Sequence, residues 1–374
     1  MYENFTLLTD GKEAFPEILK CIEEAKSSVD INMFIWRDDD IGNRIAEALL
    51  RAANRGVKVS VSADRYGAVL EKSEEAKRSF FPRKLNFKER VSVFTLERLY
   101  PTPNAKNNVP DRYTDTQKRF LNHENIIASY DVFKADHSKY YIIDGEILIL
   151  GGINIEDKEN DYDMHGRAYQ DYMVKIAGKD YVDAFLTKLN RGEDTLADCR
   201  FSANTKSPLP HRFEMEREYL DLIDKAEETL IITMAYFSPL PKFIKAISKA
   251  CRRGVKISIL IPEKANFQND LNRKTIRRLM KQNDNKITVF LSPKMVHTKF
   301  IASEKSVSFG STNITQKAFK QLSELNLSLE NNDSEFVYTL LESVRENQSL
   351  SKKVISYKEI KYNRLIALLE GFIC

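Results

Sequence analysis

The sequence predicts an α/β protein built from two repeats, each a mixed sheet covered by helices, and three observations carry that expectation. A stretch rich in reactive side chains, Asp136 to Asn154 (DHSKYYIIDGEILILGGIN), recurs in kind at Met295 to Asn313 (MVHTKFIASEKSVSFGSTN). Each copy follows the same order of helices and strands. Two shorter segments also match: AKSSVDINM at Ala25–Met33 with AEETLIITM at Ala226–Met234, and RGVKVSV at Arg55–Val61 with RGVKISI at Arg253–Ile259. Helix and strand alternate in any α/β chain, so the recurrence of the reactive stretch after each set is what makes internal duplication the better reading.

From Lys12 to Ser28, Phe15, Ile18, Leu19, Ile22 and Ala25 recur at helical spacing. Val29 to Trp36 reads as a strand. Asp39-Asp40 precede a second helix, Ile41 to about Arg55, with Ile45, Leu49 and Ala52 on one face. Gly56 ends it as a left-handed cap, and Val57 to Ala63 is the next strand. The second half repeats this with a helix at Arg217–Glu228, a strand at Leu230–Tyr236, a helix at Lys242–Arg253, a cap at Gly254 and a strand at Val255–Ile261. Such an order implies a mostly parallel sheet covered by helices.

We therefore expect a first repeat at 1–191, a linker at 192–210 containing Ser, Asn, Thr and two prolines, and a second repeat at 211–374. The first repeat carries an insert at about 66–134, roughly forty residues more than the second has there, and longer than compact connections need. It interleaves Lys77, Arg78, Arg83, Lys84 and Lys88 with Phe80, Phe81 and Phe87. That mixture suits a lipid headgroup layer or stacking on nucleic-acid bases, and equally a surface loop with its own small core and a solvated basic face. The basic tail after Gln348, with Ile355, Ile360, Ile366 and Leu369, reads as an amphipathic helix docked on its own domain.

At 374 residues, with 42% hydrophobic and 30% charged residues, the chain has the composition of a soluble globular protein with room for two such units. Its net charge of +4 is compatible with phosphate-bearing partners but too small to argue for nucleic acid alone. Cys21, Cys199, Cys251 and Cys374 have no Cys-x-x-Cys spacing, which points to a reducing, cytoplasmic compartment without structural disulfides or zinc. No apolar run approaches a bilayer span and no signal-peptide core follows Met1, so the expected membrane contact is peripheral, on the inner face of the cell membrane. There is no Gly-rich nucleotide loop and no Ser-centred elbow. No cofactor or metal is expected.

His137 and Lys139 are two apart, so a strand would place both on one face with Ser138 on the other. Tyr140–Ile143 and Ile147–Leu150 read as paired strands joined at Asp144-Gly145. Gly151-Gly152 would let the backbone turn tightly and bring the Asn154 amide back toward the histidine. His297, Lys299 and Asn313 repeat the arrangement. Two cations and an amide donor suit an anionic substrate. His123, His165 and His211 lack this context and read as surface or structural, with His165 close enough to the first motif to line its mouth.

These units resemble the paired H-x-K-(x)4-D motifs of the phospholipase D superfamily and the G-[SG]-x-N segments that follow them. The first matches as His137, Lys139, Asp144, Gly151, Gly152 and Asn154. The second matches as His297, Lys299, Gly310, Ser311 and Asn313, with Glu304 in the aspartate position and a hairpin one residue shorter. FIWRDDDIG at Phe34–Gly42 and GGINIED at Gly151–Asp157 look like bacterial cardiolipin synthases and related phosphatidyltransferases. The resemblance implies two phospholipase D-like α/β repeats meeting at one shared active site. It adds Asp171, in YQD, and Glu324, in SELNL, as downstream acids.

The implied chemistry is metal-independent. One histidine, His137 by the resemblance, attacks phosphorus and becomes a phosphohistidine. His297 protonates the departing oxygen and then deprotonates the incoming alcohol or water. Lys139 and Lys299 would hold nonbridging oxygens, and Asn154 and Asn313 would add amide donors. Asp171 and Glu324 would each accept the N–H of a histidine's far nitrogen. Asp144 and Glu304, with Gly152 and Ser311, would support the motif rather than touch substrate. The expected function is a phosphatidyltransferase of the cardiolipin synthase type, or a closely related phospholipase D, acting on phospholipid. A phospholipase D-like nuclease would use the same constellation, and an inactive lipid- or nucleic-acid-binding member would follow if Glu304 marks a lost site. The sequence assigns no oligomeric state.

Overall fold

The computed structural model describes residues 2–74, 78–101, 114–161, 163, 166–206 and 211–373. His165, Lys77, part of the insert (102–113), residues 207–210 and Cys374 lie outside them. The chain divides into two compact units, Asn4–Leu186 and Thr187–Cys374, the latter joined by the first three residues.

In the first unit a seven-stranded sheet runs in the spatial order Phe5–Thr9, Tyr172–Ala177, Ile147–Gly151, Lys139–Ile143, Ser28–Met33, Lys58–Ala63, Ile126–Ser129. Its helices are α1 (Asp10–Glu24), α2 (Asp40–Asn54), α3 (Gly67–Ser73), α4 (Phe87–Leu99), α5 (Asp115–Leu121) and α6 (Lys179–Arg191), the last of which carries the chain into the second unit. The α1 stripe Ala14, Phe15, Ile18, Cys21 and Ile22 is buried, as is the α2 stripe Ile41, Ile45, Ala48, Leu49 and Ala52. Asp39 caps α2 by accepting from the Gly42 N–H at 2.9 Å, and Gly56, at φ +94°, ends it as expected.

The second unit repeats the order strand for strand: Cys199–Asn204, Glu324–Glu330, Ser306–Gly310, Lys299–Ser303, Thr229–Met234, Lys256–Pro262 and Thr288–Ser292, with Lys352–Val354 added at the far edge. Its helices are α7 (Met215–Lys225), α8 (Pro241–Arg253), α9 (Asn269–Gln282), α10 (Gln316–Lys320), α11 (Glu335–Ser349) and α12 (Arg364–Ile373). Duplication is therefore a property of topology as well as of motif.

Three expectations need correction. The sheets are not mostly parallel: in the first unit only Ser28–Met33 with Lys58–Ala63, and that strand with Ile126–Ser129, pair in parallel. The four other pairings are antiparallel, because the motif is itself a hairpin and its flanking strands extend it. The segment read as a linker at 192–210 contains Cys199–Asn204, which pairs with Glu324–Glu330 as the edge strand of the second sheet. Its alternation is short and lies among turn-forming residues, which hid it, as brevity hid Phe5–Thr9. Lastly, Phe80 and Phe81 of the insert face no solvent. Both are fully buried around Trp36, Phe80 stacking on the indole at 5.1 Å, with Phe120 completing the cluster. That part of the insert belongs to the main core.

Candidate active site

In the first unit, His137 lies two residues ahead of strand Lys139–Ile143, and its ring meets Phe34 edge-on at 4.7 Å. Lys139 is fully buried. Its ammonium sits 5.3 Å over the same Phe34 ring and donates to the His137 carbonyl at 2.6 Å. One aromatic side chain thus contacts both the imidazole and the ammonium, and the lysine fixes the backbone of the histidine. On the other side, the Asn32 amide donates to the Ser138 carbonyl and hydroxyl, each at 3.1 Å, and Asp136 accepts from the Ser138 N–H at 3.0 Å. Asp64 in turn accepts from the backbone N–H of Asp136 and of Lys134. Burial pushes the Asp64 and Asp136 carboxyls above the usual range. The approach to His137 is held by bonds from Asn32 and Asp64, both distant in sequence, rather than left as loop.

Gly151 and Gly152 are glycines for a different reason from the tight turn expected of them, since neither has positive φ. A Cβ at Gly151 would lie 2.2 Å from the Tyr172 carbonyl, and one at Gly152 would lie 2.2 Å from an Asp171 carboxylate oxygen. The pair is there so that the loop can press against Asp171, whose carboxylate accepts the Tyr172 N–H at 2.8 Å. Asn154 is 2% exposed and donates to Glu156 at 3.4 Å, while its amide oxygen has no partner among the described residues.

Behind Asn154 stands a group of charges that sequence reasoning missed. Glu156 pairs with Arg37 at 2.6 Å and with Lys158 at 3.3 Å, and Glu74 pairs with Arg37 at 3.2 Å and Lys158 at 2.9 Å. All four side chains are buried. Arg37 and Glu156 lie in the two segments that carry the cardiolipin synthase resemblance, and a bridge between Trp36 and Ile155 brings those segments together. The signal was therefore present, but Glu74 and the pairing were not legible without the fold.

The second unit builds the same object with substitutions. His297 lies ahead of strand Lys299–Ser303, and the fully buried Lys299 again donates to the histidine's own carbonyl. A Cβ at Gly310 would meet the Leu325 carbonyl at 2.2 Å, matching Gly151. Where the first unit has Gly152 against Asp171, the second has Ser311, whose hydroxyl donates to Glu324 and accepts the Leu325 N–H at 2.9 Å. Asn313 is anchored through its oxygen by the Tyr236 N–H at 3.1 Å, which leaves its NH2 group to donate elsewhere.

Asp144 and Glu304 are not brought to the histidines. Asp144 lies at the far end of its strand, roughly 15 Å along from Lys139. It accepts from the N–H groups of Lys26, Ser27 and Ser28. Glu304 does the same for Glu227, Glu228 and Thr229. At both carboxylates burial opposes the charge, but the three N–H groups outweigh it and hold the pKa below the ordinary value. Asp144 reaches its partners with φ at +55°, whereas Glu304, in the shorter turn, uses one more methylene. The departure from the motif thus keeps its job. His123, by contrast, braces a turn, its Nδ1 accepting the Asn125 N–H at 3.1 Å and its Nε2 lying 3.2 Å from the Asn54 amide oxygen. Among the described residues no three His, Cys, Asp or Glu side chains are grouped to hold a metal ion.

Two copies of one α/β fold, each presenting a histidine tied to a buried lysine at corresponding positions, is the architecture of the phospholipase D-like proteins. The chain belongs to that family: the family described as "Cardiolipin synthase, PLD-like domain" matches residues 18–191 and 219–346. Cardiolipin synthase B of Escherichia coli is 30% identical over 273 residues, covering 68% of this chain and 59% of that protein. The match thus spans about three fifths of that relative's length. Major cardiolipin synthase ClsA of Bacillus subtilis is 24% identical over 376 residues, covering 94% of this chain and 70% of that one. Among solved structures, phosphatidylserine synthase of Haemophilus influenzae is similar in fold, with a TM-score of 0.70 at 14% identity over 100% of this chain and 93% of that chain.

Proposed function

We propose that the chain is a phosphatidyltransferase of the cardiolipin synthase type, in which His137 and His297 serve one phosphodiester. The observation that carries this reading is the duplicated cassette, histidine tied to buried lysine with an asparagine and an acid on the same positions, in a chain of this family. A nitrogen of His137 attacks phosphorus and the bond to the departing alcohol breaks, with His297 supplying the proton to that oxygen. An incoming alcohol then gives its proton to His297 and attacks the phosphohistidine, returning the His137 imidazole and the protonated His297 to their starting forms. Lys139 and Lys299, with Asn154 and Asn313, stabilise the charge on the nonbridging oxygens. Asp171 and Glu324 orient the imidazoles by accepting the N–H of the far nitrogen, as positioning residues. The preserved role of Glu304 favours an active second half over an inactive binding protein. The phospholipid substrate is met at a membrane surface through a peripheral contact. Among the described residues no helix is long and apolar enough to cross a membrane.

Purified protein incubated with phosphatidylglycerol liposomes should yield a new, more acidic diphosphatidyl lipid and free glycerol. Labelled single-stranded DNA should stay intact. Shortened DNA with no lipid product would replace this reading by a nuclease.

A further inference from the structure

The insert's helix α4 is built backwards for a helix of a globular domain, since none of its residues is buried. Its three exposed apolar residues nevertheless form a stripe: Phe87, Val91 and Phe94, spaced four and three apart, lie on one face with Arg98 continuing it, while the half-buried Val93, Leu96 and Leu99 lie off it. Their exposures are 82%, 49% and 57%. The opposite face makes the attachment. Glu89 binds the Arg65 guanidinium at 2.8 and 2.9 Å, so the apolar stripe points away from the unit that holds it.

Arg65 also fixes a second exposed element. Its side chain pairs with Asp131 and its backbone N–H donates to the Val132 carbonyl at 3.1 Å, which presents Val132 and Phe133 to solvent at 52% and 57%. From Phe133 a chain of rings leads inward, to Tyr66 at 5.5 Å, to Phe34 at 5.8 Å and to His137 at 4.7 Å. One arginine thus sets two outward apolar features beside a path of aromatic contacts that ends on the candidate nucleophile.

We infer that α4 and Val132–Phe133 form the surface by which this protein docks on an anionic phospholipid bilayer, delivering lipid to the His137 side of the site. The choice of occupant rests on charge. Exposed Lys84, Lys88, Arg90 and Arg98 flank the stripe, while Glu89 is engaged by Arg65 and only Glu97 opposes them on the helix. An apolar face edged with basic residues is the pattern of an interfacial helix, where aromatic side chains enter the headgroup layer and cations meet anionic lipid. A second exposed apolar stripe, Leu365, Leu368, Leu369 and Phe372 on α12, has Arg364 as its one basic residue and serves as the comparison.

The inference rests on the lipid reading of the site, so binding and turnover are measured separately. Wild-type protein should co-sediment with vesicles of equal phosphatidylglycerol and phosphatidylcholine, weakly with phosphatidylcholine alone, and less as salt rises. The double variant Phe87→Ser/Phe94→Ser, which alters solvent-exposed side chains only, should keep the wild-type melting temperature and lose tenfold or more of its binding. Lys88→Glu/Arg90→Glu should lose as much on the anionic vesicles and little on the neutral ones. Unchanged binding in either variant would overturn the inference, as would loss caused instead by Leu365→Ser/Leu369→Ser. Light scattering adds a further check: a wild-type dimer made monomeric by Phe87→Ser/Phe94→Ser, with no vesicle binding, would assign the stripe to a second copy and overturn the lipid assignment. Vesicle binding of this pattern without lipid turnover would refute the proposed activity while leaving the docking surface standing.

Discussion

The Gly152→Ala variant tests how tightly the first half of the site is built. The added Cβ would lie 2.2 and 2.5 Å from the two Asp171 carboxylate oxygens and 2.6 Å from the carbon between them. Ordinary contact needs about 3.3 Å, so either the loop or the carboxylate must move by roughly 1 Å. Neither moves freely. The Gly152 N–H is bonded to the Tyr172 carbonyl at 3.0 Å, and Asp171 is tied by the Tyr172 N–H and, through its own N–H, by Asp10 at 2.9 Å. Overpacking of this kind costs about 1 to 3 kcal/mol of stability. A displacement of about 1 Å in a group assigned by the proposed function to orient an imidazole costs on the order of a hundredfold in rate. We expect a melting temperature a few degrees lower and kcat for phosphatidyl transfer about a hundredfold lower, with KM changed much less. Ser311→Gly at the matching position makes no clash but strips the buried Glu324 carboxylate and Leu325 N–H of a partner, and should cost about 1 to 3 kcal/mol of stability. Wild-type kcat in Gly152→Ala, with unaltered stability, would refute the claim that Asp171 acts through its fit against this loop.

Two other perturbations separate anchoring from chemistry. Because the Asp144 and Glu304 carboxyls are held below their ordinary values of 3.8 and 4.5, their stabilisation is fully present above those values and is lost as pH falls through the lower folded values. Asp144→Asn/Glu304→Gln should therefore melt earlier at pH 7 and show a flattened loss of stability on acidification below about pH 4, while the folded variant retains substantial kcat. A collapse of kcat to the level of a histidine variant would place these acids in the chemistry instead. Replacing Arg37 with Met removes the guanidinium that Glu74 and Glu156 share in a buried site, which should cost about 3 to 5 kcal/mol in chemical denaturation. A loss below about 1 kcal/mol would mean the network is solvated.

Much of this was legible because the chemistry-bearing residues occur twice. His137 with Lys139, and His297 with Lys299, could be read as a pair of cassettes from spacing alone, and the helices around them followed from apolar periodicity and the Gly56 and Gly254 caps. What could not be read depends on close approach in space. The role of Gly152 is set by Asp171, nineteen residues on, and that of Glu304 by N–H groups at 227–229. The edge strand Cys199–Asn204 gains its identity only from pairing with Glu324–Glu330. The insert was the hardest segment, because Phe80 and Phe87 look alike in sequence yet one packs on Trp36 and the other faces solvent.

The central claim is that one phosphodiester passes through a histidine of the first repeat with the second repeat's histidine as its proton carrier. It is tested most directly by rapid quench with phosphorus-labelled phosphatidylglycerol in the presence of chelator, followed by peptide mapping. Turnover should be undiminished by chelator, and an acid-labile, alkali-stable label should appear on the peptide containing His137. That label should be absent from His137→Ala and no longer turned over by His297→Ala. Full turnover in either variant, or turnover with no covalent label on either histidine, would contradict it.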